Sequence, residues 1–284
     1  SVCRSVDLGG RRIIKKKTGS SGGDRGGRGG DVIALKSDAE VEKMRQANSI
    51  VAEVLKKMRE WVVPGVTTGE LDRKAEALIR DRKAIPSFKG YPPGSAHPFP
   101  ASICASVNEE LVHGIPGPRV LEEGDIISVD VGTILEGYHG DAAVTLPVGE
   151  VSQKALDLMA VTEGALEAGI GAARAGDRSG DISAAIQAYV EERGYEVVRE
   201  YTGHGIGRKM HEDPQVPNHG QPGQGVLLRR GMTIALEPMV LISDPRVRVL
   251  DDHWTVVSRN GDLTAHFERT IAIGDGPADI LSAW

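Results

Sequence analysis

Residues 121–146 read LEEGDIISVDVGTILEGYHGDAAVTL and place two aspartates, Asp130 and Asp141, on two short apolar runs. β-Branched residues predict a strand over residues 126–131, and a second strand follows a turn predicted over residues 132–140. Burying a carboxylate in such a run is unfavourable because the charge loses its water, and a bound cation offsets that loss. Two acids on neighbouring strands therefore predict a metal site.

The second half of the chain repeats this pattern. Residues 228–237, LRRGMTIALE, match residues 121–130 at a constant offset, which aligns Glu237 with Asp130. The apolar run after Glu268 likewise resembles the run after Asp141. Each half thus supplies two acids on strands, and a GHGIG segment adds an imidazole. The candidate metal ligands are Asp130, Asp141, His204, Glu237 and Glu268.

Four carboxylates and one imidazole suit a site for two cations. Two divalent ions balance the charge of four carboxylates, and paired ions roughly 3.5–4 Å apart lower the pKa of a shared water and act on a carbonyl. Oxygen-rich ligands with one imidazole favour Mn(II), Fe(II) or Co(II) over thiolate-loving metals. We expect two divalent metal ions as cofactors, with cobalt, manganese, iron(II) and zinc all open.

Helical periodicity precedes the acids in both halves. Ser37 or Asp38 can cap a first helix, and Thr67 opens a second helix with a capping box, TTGE. The pattern recurs 111 residues later, where Gly176 matches Gly65 and a helix is predicted over residues 152–168. This internal duplication around a pseudo-twofold axis predicts an α+β fold, in which a sheet floors the metal site and helices back it.

Composition bounds the class of protein. The chain of 284 residues is 40% hydrophobic with a net charge of −6, ordinary values for a soluble globular protein. Residues 1–30 are rich in Gly and Arg and contain eight basic and two acidic residues. We expect a disordered basic tail there and a single domain over residues 31–284. A mildly acidic body is not typical of a DNA-binding domain.

Cysteine content and hydropathy bound the location. Cys3 and Cys104 are too few for a disulfide framework, so a reduced compartment fits best. No run approaches the roughly 18 apolar residues of a membrane span, and the N-terminus lacks the apolar core of a secretory signal. We expect a cytoplasmic monomer that binds neither DNA nor membrane.

The remaining histidines fall into two groups. His113, in LVHGIP, is about equally suited to a structural turn and to catalysis. His211 opens HEDP, which is not an H-E-x-x-H zinc motif because Gln215 occupies the last position. We interpret the others as surface or structural residues: His97, His139, His219, His253 and His266.

Five blocks of the chain resemble type I methionine aminopeptidase, in the right order and over about residues 32–275. They are CASVNEELVHGIP, ISVDVGTILEGYHGDAAV, YTGHGIGRKMHEDPQV, GMTIALEPMV and AHFERTIAI. The resemblance implies the pita-bread fold of these metallopeptidases, an antiparallel sheet with two helix pairs related by pseudo-twofold symmetry. It also implies removal of the initiator methionine from nascent polypeptide N-termini when the next residue is small.

The resemblance further implies a role for each ligand. Asp141 and Glu268 would bridge the two ions. Asp130 would hold one ion, and His204 and Glu237 would hold the other. Residues 31–284 would then be a single metallopeptidase catalytic domain.

Catalytic and substrate roles follow from the same matches. Glu237 would accept the proton of the attacking water, and His211 would bind the substrate and stabilise its oxyanion. His113 would bind the scissile amide nitrogen and help the leaving amine depart. Soft apolar side chains suited to a thioether would contact the methionine: Cys104, Phe99, Met210 and Trp254.

Three departures from the family pattern affect the methionine pocket. Phe99 replaces a tyrosine, Met210 stands where an aromatic residue is usual, and the loop of residues 90–100 is longer than in compact bacterial members. These changes leave the metal ligands intact and alter the shape of the pocket.

Three other assignments fit less well. Relatives that cleave X-Pro bonds carry a large extra N-terminal domain, which a 30-residue tail cannot supply. Type II methionine aminopeptidases insert a long segment between the His and Glu ligands, whereas His204 and Glu237 are 33 residues apart. A non-catalytic RNA- or ribosome-binding module would be expected to lose metal ligands, and all five are present here.

The basic tail gives a first prediction. Its composition favours a solvated segment, although its charge suits a transient contact with a ribosome. If the tail is only solvated, deletion of residues 1–30 leaves co-sedimentation with ribosomes unchanged. Loss of co-sedimentation in the deleted chain would identify the tail as a binding arm.

Overall fold

Two pairs of helices and three antiparallel sheets form the regular structure of the chain, which the computed structural model describes for residues 33–283. The predicted basic tail, residues 1–30, lies outside the described residues. No helix in the described part is long and apolar enough to cross a membrane. The helices are α1 (Asp38–Trp61), α2 (Thr68–Asp81), α3 (Gln153–Gly171) and α4 (Ser179–Glu191).

Side-chain caps set the starts of three helices, and the sequence predicts those of the first two. Ser37 Oγ accepts from the backbone N–H of Glu40, whose carboxylate accepts from the Ser37 N–H, and this closes a capping box at α1. Thr67 and Glu70 form the equivalent box at α2, and Ser152 caps α3. These contacts satisfy N–H groups that have no partner inside the helix.

Along the chain, each helix pair is followed by a block of strands. The first half contributes β1 (Ile85–Pro86), β2 (Ile103–Val107), β3 (Glu110–Val112), β4 (Ile126–Leu135) and β5 (Tyr138–Pro147). The second half contributes β6 (Glu196–Val197), β7 (Thr202–Gly205), β8 (Glu212–Pro217), β9 (Thr233–Leu236), β10 (Met239–Leu241), β11 (Val247–Val249), β12 (Val256–Ser258), β13 (Thr264–His266), β14 (Glu268–Ala272) and β15 (Asp279–Ile280).

Strands from both halves join in one large sheet. Within the described residues this sheet has nine strands in the order β1-β4-β5-β14-β9-β7-β8, with β2 paired to β4 and β15 paired to β14. Two three-stranded sheets, β13-β10-β6 and β11-β12-β3, complete the set. The centre of the large sheet is therefore the place where the two halves of the chain meet.

The β4–β5 hairpin is longer than the sequence predicts. The turn predicted over residues 132–140 shrinks to Glu136 and Gly137, whose φ angles of 49° and 79° suit a two-residue hairpin turn. Gly140 belongs to β5, and a Cβ there would lie 2.7 Å from the backbone nitrogen of Asn48 in α1. Glycine at this position permits close helix packing and does not make a turn.

Equivalent backbone hydrogen bonds confirm the internal duplication. The Gly65 N–H donates to the Leu121 carbonyl at 2.8 Å, and the Gly176 N–H donates to the Leu228 carbonyl at 3.0 Å. Each bond ties the turn before the second helix of its half to the loop that leads into β4 or β9. Those two strands therefore occupy equivalent places in the two halves.

Helix α1 packs on β4 and β5 and fixes the backbone beside Asp141. The buried Asn48 accepts from the Asp141 N–H at 3.1 Å and donates to the Met44 carbonyl at 2.9 Å. On β4, Thr133 Oγ1 donates to the Ala47 carbonyl at 2.9 Å. The position of one predicted ligand thus depends on a polar contact between helix and sheet.

Asn48→Ala should lower the free energy of unfolding by about 1–3 kcal/mol, because it leaves the buried Asp141 N–H without its acceptor. Urea denaturation measures the change. Gln46→Ala, on the exposed face of the same helix, is the matched control and should stay within about 0.5 kcal/mol of the parent chain. Equal unfolding midpoints for the two variants would contradict the role given to Asn48.

Candidate metal centre

Consecutive strands of the large sheet bring the five predicted ligands together. The strands β4, β5, β14, β9 and β7 are neighbours in that order. They carry, respectively, Asp130, Asp141, Glu268, the backbone leading directly into Glu237, and His204. The predicted ligands therefore meet at the centre of the sheet, although the sequence separates them widely.

Strand register and side-chain distances define the cluster. Ala143 of β5 pairs with Asp130 on one side and with Glu268 on the other. His204 Nε2 lies 3.5 Å from Glu237 Oε1 and 3.8 Å from Asp141 Oδ2. Ligand atoms of Asp141, His204 and Glu268 all lie within 4.8 Å of one another. Each of the five side chains belongs to a residue that is at most 2% exposed.

Burial and mutual repulsion oppose ionisation of these acids. Burial, together with the charge of Glu268, raises the pKa of Asp141 well above its ordinary value. Burial and the charge of Glu237 likewise raise the pKa of Glu268, and burial raises the pKa of Asp130. Acids in such surroundings become stable as carboxylates when a cation lies among them.

His204 is held in the form that binds metal. Its Nδ1 lies 2.9 Å from the Gly205 carbonyl oxygen, which can only accept, so Nδ1 carries the proton. Burial lowers the pKa of His204 to about 3, so the ring is neutral near pH 7. The Nε2 lone pair therefore faces the carboxylates of Asp141 and Glu237. A backbone acceptor on the other ring nitrogen is a common support for a metal-ligating histidine.

The donor atoms fit a divalent metal. Within residues 33–283, both carboxylate oxygens of Asp141 and Nε2 of His204 are buried and have no hydrogen-bond partner. Buried polar atoms normally have partners, and lone pairs that face each other at these distances repel unless a cation lies between them. Oxygen donors with one neutral imidazole match a hard or intermediate divalent ion.

His266 also belongs to this cluster. Its interpretation as a surface or structural residue did not predict a position beside the acids. It is 1% exposed, and its Nε2 lies 3.8 Å from Glu268 Oε2 and 3.9 Å from Glu237 Oε2. Ligand atoms of these three residues lie within 4.8 Å of one another. The available signal was its position two residues before Glu268, which puts both side chains on one face of an extended chain.

The two predicted catalytic histidines lie in separate surroundings. His113 is 4% exposed, adopts a left-handed φ of 60°, and packs edge-on against Trp254 with ring centroids 6.1 Å apart. The ring of His211 lies 4.4 Å from that of His204. Burial and His204 lower the pKa of His211 well below its ordinary value. His211 is therefore neutral and can donate one hydrogen bond.

An apolar wall lies beside the acids. Cys104 of β2 pairs directly with Asp130 of β4. Burial, and then the charge of Asp130, raise the pKa of Cys104 well above its ordinary value, so the thiol stays neutral and apolar. Phe99 packs edge-on against Trp254 with ring centroids 5.2 Å apart. The four predicted pocket residues share one buried cluster, here called the apolar wall: Phe99, Cys104, Met210 and Trp254.

The matching family model completes the assignment. The model of metallopeptidase family M24 matches residues 42–275, which contain all five candidate ligands. The chain belongs to metallopeptidase family M24. Membership means that the chain is a hydrolase that uses divalent metal, so the predicted metal dependence is confirmed at this level.

Similar proteins include several methionine aminopeptidases. The chain is 53% identical over 252 residues to the methionine aminopeptidase of Clostridium acetobutylicum, covering 88% of this chain and 99% of the relative. It is 50% identical over 251 residues to methionine aminopeptidase 1 of Bacillus subtilis, with coverage of 88% and 99%. The crystal structure of the Thermotoga maritima methionine aminopeptidase matches with a TM-score of 0.86 and 45% identity, covering 89% and 100%. The predicted resemblance to type I methionine aminopeptidase and the pita-bread fold are confirmed.

Metal binding to this M24 chain should strengthen as pH rises. The raised pKa values of Asp141 and Glu268 mean that the metal-free site keeps protons to higher pH than exposed carboxyls do. A divalent ion binds the deprotonated acids, so binding releases protons and affinity increases with pH. Isothermal titration with Mn²⁺ in two buffers of different ionisation enthalpy, at about pH 6 and about pH 8, measures the released protons. A pH-independent affinity with no proton release would contradict this electrostatic description.

Proposed function

We propose that this M24 peptidase removes the initiator methionine from nascent polypeptides whose next residue is small, through attack of an activated water on the scissile peptide bond. The observation that carries the proposal is the gathering of four buried carboxylates around the neutral imidazole of His204, next to the apolar wall. The names of the relatives from C. acetobutylicum and B. subtilis support methionine as the residue removed.

In this proposal the five clustered side chains hold two divalent ions. Asp141 and Glu268 would both supply carboxylate oxygens to the ions, and Glu268 is common to both three-residue groups whose ligand atoms lie together. Asp130, His204 and Glu237 would supply the remaining donors. When bound, the ions would lower the pKa of a water and polarise the scissile carbonyl. Cobalt, manganese, iron(II) and zinc are all compatible with this donor set.

The protein's own groups move the protons. Glu237 accepts the proton of the attacking water and returns it to the leaving amine. His211 donates from Nε2 to the oxygen of the scissile carbonyl, where negative charge develops. His113 binds the scissile amide nitrogen and helps the amine depart. The backbone around His113 is fixed for this task, because the Gly114 N–H donates to Ser106 Oγ at 3.0 Å and its carbonyl accepts from Ala105 at 2.9 Å.

The apolar wall would select methionine. Cys104 and Met210 present polarisable sulfur, and Phe99 and Trp254 present ring edges and faces, which suit a flexible thioether. A charged side chain at this place would lose its water without gaining a partner. The acids lie directly beside the wall, across the β2–β4 pair. A methionine side chain bound at the wall would therefore place its own α-amine next to the acids, which favours a free N-terminus.

The same proposal covers the organisation of the whole chain. Residues 31–284 act as one catalytic domain and as a monomer, in the cytoplasm where nascent polypeptides emerge. The charge of residues 1–30 suits a transient ribosome contact, and the deletion of these residues tests whether they make one.

Two variants separate metal binding from proton transfer. Asp141→Ala should abolish metal loading and turnover together, because it removes two donor oxygens. His113→Ala should keep the metal and lower kcat on a Met-Ala-Ser peptide about tenfold or more, because the scissile amide nitrogen loses a hydrogen-bond partner worth about 1.4 kcal/mol. Elemental analysis and peptide turnover, each with and without chelator, measure both quantities.

The control for these variants is Asp157→Ala, which removes an exposed aspartate from α3 and should change neither quantity. Turnover by the parent chain that ignores chelation would reject the metal-dependent reaction. Full metal content in Asp141→Ala would show that the ligands are wrongly assigned.

A further inference from the structure

The loop of residues 90–100 makes a hydrogen bond to the catalytic histidine of the proposed function. The Tyr91 hydroxyl lies 2.7 Å from Nδ1 of His211, and the two ring centroids are 5.4 Å apart with the planes at 58°. This distance is typical of a strong hydrogen bond. The bond joins residues 120 positions apart in the chain, so it links the long loop directly to the site.

Backbone hydrogen bonds hold Tyr91 in place at the base of this loop. The Gly90 N–H donates to the Phe99 carbonyl, and the Phe99 N–H donates to the Tyr91 carbonyl, both at 2.8 Å. The Tyr91 N–H donates to the Phe88 carbonyl at 2.9 Å, and its ring packs against the cluster that contains the apolar wall. The position of the hydroxyl is therefore set by these three backbone hydrogen bonds and by the packing of the Tyr91 ring.

The far end of the same loop holds the apolar wall. Trp254 Nε1 donates to the His97 carbonyl at 3.1 Å, and the His97 ring lies 4.1 Å from that of His253. The loop thus contacts His211 through Tyr91 and contacts Trp254 through His97. One segment connects the group that would bind the carbonyl with the residues that would bind the methionine.

The hydrogen-bond roles at His211 decide which ring nitrogen carries its proton. A neutral imidazole has one N–H, and its other nitrogen accepts. If Nδ1 accepts from the Tyr91 hydroxyl, the proton must be on Nε2. Nε2 is buried and has no hydrogen-bond partner within residues 33–283, so its N–H would be available to a substrate.

We propose that Tyr91 is a positioning residue whose hydroxyl donates to Nδ1 of His211 and thereby holds the imidazole in the tautomer with Nε2–H directed at the scissile carbonyl. The inference rests on the role of His211 in the proposed function and adds a residue that acts through it. In this inference Tyr91 acts through His211 and does not bind the reacting atoms itself.

Tyr91→Phe tests the inference because it keeps the ring and removes only the hydroxyl. On a Met-Ala-Ser peptide, kcat should fall about tenfold, equivalent to about 1.4 kcal/mol, with KM little changed. The melting temperature should stay the same, which separates positioning from folding. Tyr195→Phe is the matched control. Tyr195 packs against buried core residues outside the site, so this variant should keep full turnover.

Nitrogen-15 NMR of the histidine side chains supplies a readout that does not depend on activity. In the zinc-loaded full chain, His211 should show an unprotonated Nδ1 and a protonated Nε2, with the resonances assigned by their loss in His211→Gln. Tyr91→Phe should shift Nδ1 and mix the tautomers. A protonated Nδ1 in the parent chain would overturn the inference.

The outcomes for the two proposals are distinct. A parent chain that fails to cleave the peptide rejects the proposed function, while the NMR pattern still decides the tautomer. A parent chain that cleaves it, with Tyr91→Phe unchanged in both kcat and NMR pattern, rejects the positioning role alone.

Discussion

Burial of like charges around one point is the constraint on which the rest of this structure depends. Asp141 and Glu268 are fully buried, and His204 turns a lone pair toward the same space. Such a cluster is unfavourable without a cation and is a strong binding site with one. The capped helices, the Asn48 contact and the central strand order hold these side chains together in spite of their repulsion. The metal site is therefore a source of strain in the metal-free fold and a source of stability in the loaded one.

The internal duplication explains how one chain assembles this site. Each half supplies a helix pair and strands that carry or adjoin two of the acids, and the halves meet where β5 pairs with β14. The first half supplies Asp130 and Asp141, and the second half supplies His204, Glu237 and Glu268. Joining the halves in one sheet makes the site and the core form together, which couples the chemistry to the folding of both halves.

The ligands and the helix starts could be predicted from the sequence because the signal for each lies within a short stretch of chain. An acid within a β-branched run predicts a ligand, and a Thr-x-x-Glu box predicts a helix start. The strands of the hairpin were predicted too short because Gly140 was interpreted as a turn residue. Glycine is required there by the close approach of α1, which is far away in the chain. His266 was missed because its burial depends on the sheet, and the Tyr91 contact with His211 spans two distant loops. What sequence reasoning could not supply was contact between segments, not the chemistry of single residues.

In the proposed function, the metal site polarises the peptide bond and the apolar wall selects the side chain. Anomalous diffraction from crystals grown with Mn²⁺ tests the central claim most directly. The account predicts two peaks enclosed by Asp130, Asp141, His204, Glu237 and Glu268. Peaks bound elsewhere, or none within this cluster, would contradict it.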